Sequence, residues 1–235
     1  MIEDTGILEE TFESNGHTLA VRQMQVQLRF WGEHHLRSFP WRETRDAFHI
    51  LLAELMLRRT QAGQVVPVFL VFTQQYPDVQ ILALALPTEV AQLLFPLGLS
   101  WRVPAFQNMA QILLERYNGQ VPSDYETLLT LPGVGEYVAS AVSCFAFGQA
   151  IPIIDTNTVR VAGRLFAMPT HAESRRQRPV RQILSALLDK EQPAVYHYAL
   201  LDLAALICTP AHPRCDICPL VQCCATGQLH HKKCL

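Results

Sequence analysis

Leu131-Pro132-Gly133-Val134-Gly135 runs straight into the apolar segment Glu136 to Phe147. It joins one helical segment to another through a turn built on two glycines. Gly133 and Gly135 permit positive φ and let the backbone come close to a ligand. The amides that open the second helix lack intrahelical acceptors and point outward, which makes a ready anion site. A duplex phosphate would suit that site, in a contact that positions a protein without reading sequence. Taken alone, a glycine turn between helices is equally an ordinary connection, so Gly133, Val134 and Gly135 gain meaning only from what surrounds them.

Upstream the pattern is helical throughout. Phe48, Leu51, Leu52 and Leu55 recur at helical spacing just after a Pro40–Trp41 turn, and similar apolar faces follow at 64–75, 88–97 and 104–117. Pro87, Pro96, Gly98 and Gly119 punctuate them. Ser123 and Glu126 stand at capping-box spacing, opening a short helix that carries Leu128 and Leu129. Alternating strand pairs and solenoid-length repeats are missing, so the expected class is all-α. Residues 170–182, an arginine run containing Pro179, read as a loop between helices.

Downstream, Asp155 follows the apolar run Ile151-Pro-Ile-Ile, twenty residues after Gly135. An acid at the start of a helix serves as an N-cap. The same carboxylate can stabilise a cationic, oxocarbenium-like sugar as an N-glycosidic bond breaks, or orient an attacking water. The two roles are compatible.

Seven cysteines occur in 235 residues, and six of them lie from Cys208 onward. Such crowding, without a secretory leader, points to metal binding rather than a disulfide framework. Cys208, Cys215, Cys218 and Cys224 form the pattern C-x6-C-x2-C-x5-C, with Pro210, Pro213 and Pro219 keeping the intervening chain in loops. Four thiolates in one loop can hold zinc or an iron–sulfur cluster, and spacing alone favours zinc. Cys223 beside Cys224 leaves the fourth ligand open by one position. Cys144 reads as core, and Cys234 as a spare in the tail.

Hydrophobic residues make up 49% of the chain and charged residues 17%, which excludes a disordered protein. No apolar run is long enough to span a bilayer, and the acidic N-terminus is unlike a signal peptide, so a cytoplasmic, nucleoid-associated monomer is expected. The net charge of −2 weighs against a nucleic-acid partner, but residues 1–20 carry five acids and no Lys or Arg. That acidic extension, expected to be flexible, offsets arginine clusters at Arg37–Arg45, Arg58–Arg59 and Arg175–Arg181.

The hairpin, Asp155 and the cysteine pattern, in that order, resemble the endonuclease III-like branch of the helix-hairpin-helix DNA glycosylases over residues 24–226. The resemblance implies a six-helix barrel with a helix-hairpin-helix motif over 46–149, beside a helical cluster domain formed by 21–45 and 150–235. It also implies a [4Fe-4S] cluster on the four cysteines, which reverses the preference for zinc. The partner it implies is double-stranded DNA carrying a mismatched or damaged base, which is flipped from the stack.

Within that branch, strand-cleaving members carry a lysine nucleophile two residues after the second hairpin glycine. Tyr137 stands there in this chain, and the nearest lysine in sequence is Lys190, so base removal without strand cleavage is expected. Phe39-Pro-Trp-Arg-Glu-Thr-Arg-Asp46, Leu57-Arg-Arg-Thr60, Tyr137 and the short C-terminus resemble thymine/uracil mismatch glycosylases. Phe39-Pro-Trp-Arg42 and Glu54 to Gln61 also resemble adenine glycosylases, whose glutamate at the Glu54 position protonates the departing base. Those relatives carry glutamines at Arg58 and Arg59, a small residue at Tyr137, and a further C-terminal domain for which eleven residues after Cys224 leave no room. Removal of T or U opposite G is therefore the first expectation, with adenine removal as the alternative and a non-catalytic iron–sulfur DNA-binding protein as the second.

The resemblance makes Asp155 the transition-state stabiliser, Glu54 a base-pocket residue and Tyr137 a pocket wall that excludes a nucleophile. Arg58, Arg59 and Gln61 become duplex contacts from one helix end. From spacing alone Glu54 is equally a solvated surface acid, and the arginines plain phosphate partners. Trp41 reads as core. Trp101-Arg102 stands apart, as an unusual pair in the loop after Gly98-Leu99.

Overall fold

The computed structural model describes residues 15–171 and 173–232; the first fourteen residues of the acidic extension, and Cys234, lie outside them. Helix α1 spans Asn15–His35, so the helical signal begins six residues before Val21. Then come α2 (Ala47–Met56), α3 (Ala62–Gln75), α4 (Val79–Leu84), α5 (Pro87–Leu94), α6 (Val103–Tyr117), α7 (Tyr125–Leu129) and α8 (Glu136–Phe145). The chain continues through α9 (Thr156–Leu165), α10 (Arg178–Leu187), α11 (Pro193–Leu206) and α12 (Ala225–Lys232). Among the described residues there are helices and 3-10 turns and no strand, as the all-α reading requires.

The chain forms two compact units, Ser38–Gln149 and the pair of segments Met1–Arg37 and Ala150–Leu235. The sequence boundary at 45/46 needs correcting by eight residues. Trp41 stacks on Phe39 and meets Phe69 edge-on, and Arg45 Nη1 donates to the Phe145 carbonyl at 3.1 Å. All of these partners belong to the 38–149 unit, and they hold Ser38–Arg45 there.

In that unit α2 is the central element. Phe48 and every residue from Ile50 to Met56 are buried, because the helix packs against α3, α8 and the Pro40–Arg42 turn. It is buried on all faces, where the sequence suggested a stripe. Asp46 caps it, accepting from the His49 amide at 2.9 Å. Asp78 caps α4 in the same way. The cap of α7 is Asp124 and not Ser123: its carboxylate accepts from the Thr127 amide at 2.8 Å. A carboxylate outcompetes the neighbouring hydroxyl for that amide. Asn118 and Gly119, both with positive φ, end α6.

The other unit closes around α1, α9, α10 and α11, with Leu28, Trp31, Val161, Leu184 and Leu203 in its core. Gly32 lets α1 approach α11, since a Cβ there would lie 2.9 Å from the Ala199 Cβ. The expected loop at 170–182 is shorter than the arginine run suggested. A 3-10 turn at Ser174–Arg176 leads into α10 at Arg178, and Pro179 sits in the first helical turn, where its missing N–H costs nothing. Val180, Ile183, Leu184 and Leu187 supply the buried face of α10. No helix among the described residues is long and apolar enough to cross a membrane.

Candidate functional site

The turn between α7 and α8 is a closed hairpin. The Val134 amide donates to the Leu131 carbonyl at 3.1 Å, and the side chains of Leu131 and Val134 are buried as anchors. Gly133 has φ +82°, and a Cβ there would lie 3.3 Å from Ala105 Cβ, so both backbone and packing require glycine. Gly135 is the N-cap of α8 and supplies no side-chain acceptor, which leaves the first-turn amides of α8 facing outward. The hairpin therefore presents main chain, while Val134 holds it in place.

One arginine contacts this hairpin, and two more lie near it in an electrostatic group. Arg58 Nη1 donates to the Gly133 carbonyl at 2.9 Å, and Arg102 Nη1 donates to the Leu55 carbonyl at the end of α2 at 3.1 Å. Arg59 is exposed, with φ +66° just past α2, and Gln61 is the exposed N-cap of α3. Burial, and then the charges of Arg58 and Arg59, push the Arg102 guanidinium below its usual pKa. Like charges gathered this closely favour an anionic partner. Trp101 lies over the Arg102 guanidinium at 4.7 Å and is 71% exposed. An exposed aromatic side chain thus stands beside the arginine cluster. Sequence reading saw Trp101-Arg102 only as a departure; the signal was an exposed tryptophan next to a buried arginine, and neither burial is visible in one sequence.

Glu54, in the last turn of α2, is only 3% exposed, so the surface-acid reading falls. Tyr137 is half-buried on the first turn of α8, and α2 packs against α8.

Asp155 is the N-cap of α9, within a full capping box. Its Oδ1 accepts from the amides of Asn157 at 2.8 Å and Thr158 at 2.7 Å. Oδ2 accepts from Asn157 Nδ2 at 2.8 Å, and the Asp155 amide donates to Thr158 Oγ1 at 2.9 Å. The carboxylate is thus fixed in rotamer as well as place. Asn157 Oδ1 in turn accepts from Arg160 Nη1 at 3.0 Å, and Arg160 donates to the carbonyls of Cys208 at 3.0 Å and Ala204 at 2.9 Å. A continuous hydrogen-bonded path therefore runs from Asp155 to the backbone of Cys208.

Cys208, Cys215, Cys218 and Cys224 line one cavity, together with Arg164 and Gly227. Cys223 turns away, its thiol 3.9 Å from Gln27 Oε1 on α1. Arg164 Nη1 lies 3.3 Å from Cys208 Sγ, and the Gly227 amide donates to Cys224 Sγ at 3.3 Å. Burial first, and then the other cavity thiols, push Cys218 up to about 11 and also raise Cys215 and Cys224. Thiols so placed lose their protons together only against a bound cation. No three His, Cys, Asp or Glu side chains among the described residues converge as they would on a single ion. Cys144 is a buried core residue of α8.

Residues 52–186 match the family described as HhH-GPD superfamily base excision DNA repair protein. The chain is 36% identical over 200 residues to the adenine DNA glycosylase of Mycolicibacterium smegmatis, an alignment covering 84% of this chain and 68% of the relative. It is 35% identical over 220 residues to the thymine-DNA glycosylase of Aeropyrum pernix, covering 91% and 96%. A solved thermostable thymine-DNA glycosylase superposes with a TM-score of 0.86 at 28% identity, over 92% of this chain and 100% of that one.

Proposed function

Since the chain belongs to the HhH-GPD superfamily of base excision DNA repair proteins, with the endonuclease III-like fold, we propose that it removes thymine or uracil opposite guanine without cutting the strand. That it is a DNA glycosylase, hydrolysing an N-glycosidic bond, follows from the family and its relatives. Overall similarity does not choose the base, because the adenine and thymine relatives stand at 36% and 35% identity. The observation that carries the choice is Tyr137. It occupies the first turn of α8, where strand-cleaving members of the branch carry an amine and adenine glycosylases a small residue.

In this reading the α8 amides and Arg58 hold a phosphate of the duplex. Trp101 stacks within the duplex and supports the opened base pair. The Asp155 carboxylate, held by three hydrogen-bond donors, stabilises the cationic sugar and orients water. Glu54 hydrogen-bonds the flipped pyrimidine. Its burial also favours the second reading, adenine removal, because a buried carboxyl is a suitable proton donor to a departing purine.

The four cavity cysteines fit a [4Fe-4S] cluster. They supply four thiolate donors to the lining of one cavity, and Cys224 rather than Cys223 belongs to that lining. When bound, the cluster supplies a cross-link of four iron–thiolate bonds across the 208–224 loop.

Trp101→Ala is expected to weaken binding to a G·T duplex by about 1–3 kcal/mol, the worth of one base–aromatic stack. Fluorescence anisotropy would measure it. An unchanged affinity together with an unchanged rate would remove Trp101 from the interface. The base itself is tested by single-turnover cleavage of G·T, G·U, A·8-oxoguanine and A·G duplexes, with and without alkali. Adenine release would move the assignment to the second reading, and binding without any cleavage would point to a non-catalytic protein.

A further inference from the structure

His197 lies on α11, 2% exposed, and takes no part in the chemistry described above. Its Nε2 is 3.2 Å from the Ile151 carbonyl and 3.3 Å from the Ile153 amide, while Nδ1 is buried without a hydrogen-bond partner. Burial holds the ring neutral, with its pKa pushed down to about 4. A neutral ring carries one N–H. It therefore either donates from Nε2 to Ile151 or accepts there from Ile153, and in each tautomer Nδ1 remains unsatisfied. An apolar residue of similar size would avoid that cost, so the value of the histidine lies in what Nε2 holds.

What it holds is the strand-like lead into Asp155. Residues 151–154 make no backbone–backbone hydrogen bonds among the described residues, although Ile153 is fully buried. A buried amide of this kind needs a partner, and His197 supplies it two residues before the carboxylate. Beyond that point the capping box takes over, through the Asp155 amide and Thr158 Oγ1. His197 and the capping box thus clamp the two ends of the short segment that sets the direction of Asp155.

We propose that His197 is a positioning residue for base removal: its Nε2 accepts from the Ile153 amide and so fixes the backbone that delivers the Asp155 carboxylate. The inference rests on the reading of Asp155 as the catalytic carboxylate. Its test compares His197→Leu with His197→Gln in the full-length protein, because a glutamine amide can both donate to Ile151 and accept from Ile153. Single-turnover rate at saturating enzyme, duplex affinity and hydrogen exchange at the Ile153 amide are measured for both, beside Asp155→Asn. His197→Leu is expected to lower the rate about 10- to 100-fold, the scale of a sub-ångström to ångström misplacement. Duplex affinity should be unchanged and Ile153 protection lost, and His197→Gln should restore both rate and protection. A wild-type rate for His197→Leu beside a crippled Asp155→Asn would overturn this inference alone. So would a rate loss with Ile153 protection intact, or one that glutamine does not rescue. A wild-type rate for Asp155→Asn would overturn the catalytic role of Asp155, and this inference with it.

Discussion

Asp155→Asn is expected to lower the single-turnover rate of base removal by about 10²- to 10⁴-fold while leaving duplex affinity within about threefold, the range that loss of a preorganised charged group or a general base gives. The substitution is nearly isosteric. An asparagine Oδ1 can still accept from the Asn157 and Thr158 amides, so α9 keeps its cap. What changes is charge: an amide offers a developing oxocarbenium only a dipole. The stability cost should therefore be small and the chemical cost large. A variant that binds normally but reacts slowly separates the proposed catalytic role from the observed cap. If rate and thermal stability fell together, Asp155 would be a cap and nothing more.

The second large effect is expected at the cysteine cavity. Cys218→Ser should abolish the broad absorbance near about 400 nm that iron–sulfur proteins show. It should also lower the melting temperature by about 10 °C or more, as loss of about 3–5 kcal/mol would in a chain of this size. Cys218 lines the cavity and packs against the core that contains Leu220. Cys223→Ser is the matched control. It removes a thiol one residue from Cys224 that faces Gln27 instead of the cavity, so colour and melting temperature should survive. Loss of colour in Cys223→Ser, with retention in a Cys224→Ser protein, would reverse the ligand assignment. Colourless protein carrying zinc would remove the cluster altogether.

The particulars show what a sequence can carry. The hairpin was legible because glycine at positive φ and an N-terminal amide site are local properties, written in five consecutive residues. Asp155 was legible as a cap for the same reason, and α3, α5 and α6 were legible because their apolar faces repeat over two turns or more. Helix α4 was not: six residues give too little periodicity to see. Helix α10 was hidden behind an arginine run whose charged side chains mask an ordinary buried face. Glu54 was ambiguous because burial on the polar side of α2 depends on α8 and α3, which are brought there by tertiary packing. Trp101-Arg102 stood out in the sequence without a role, and His197 did not stand out at all. Each acts through a partner 44 or more residues away, or through exposure created by the fold.

Removal of a pyrimidine opposite guanine with the strand left intact, as proposed, is tested by a single-turnover reaction on G·T and G·U duplexes, with each sample split and one half treated with alkali. Product is expected only in the alkali-treated half, with no release of adenine from A·8-oxoguanine or A·G duplexes. Strand breaks without alkali, or adenine release in place of thymine and uracil, would contradict it.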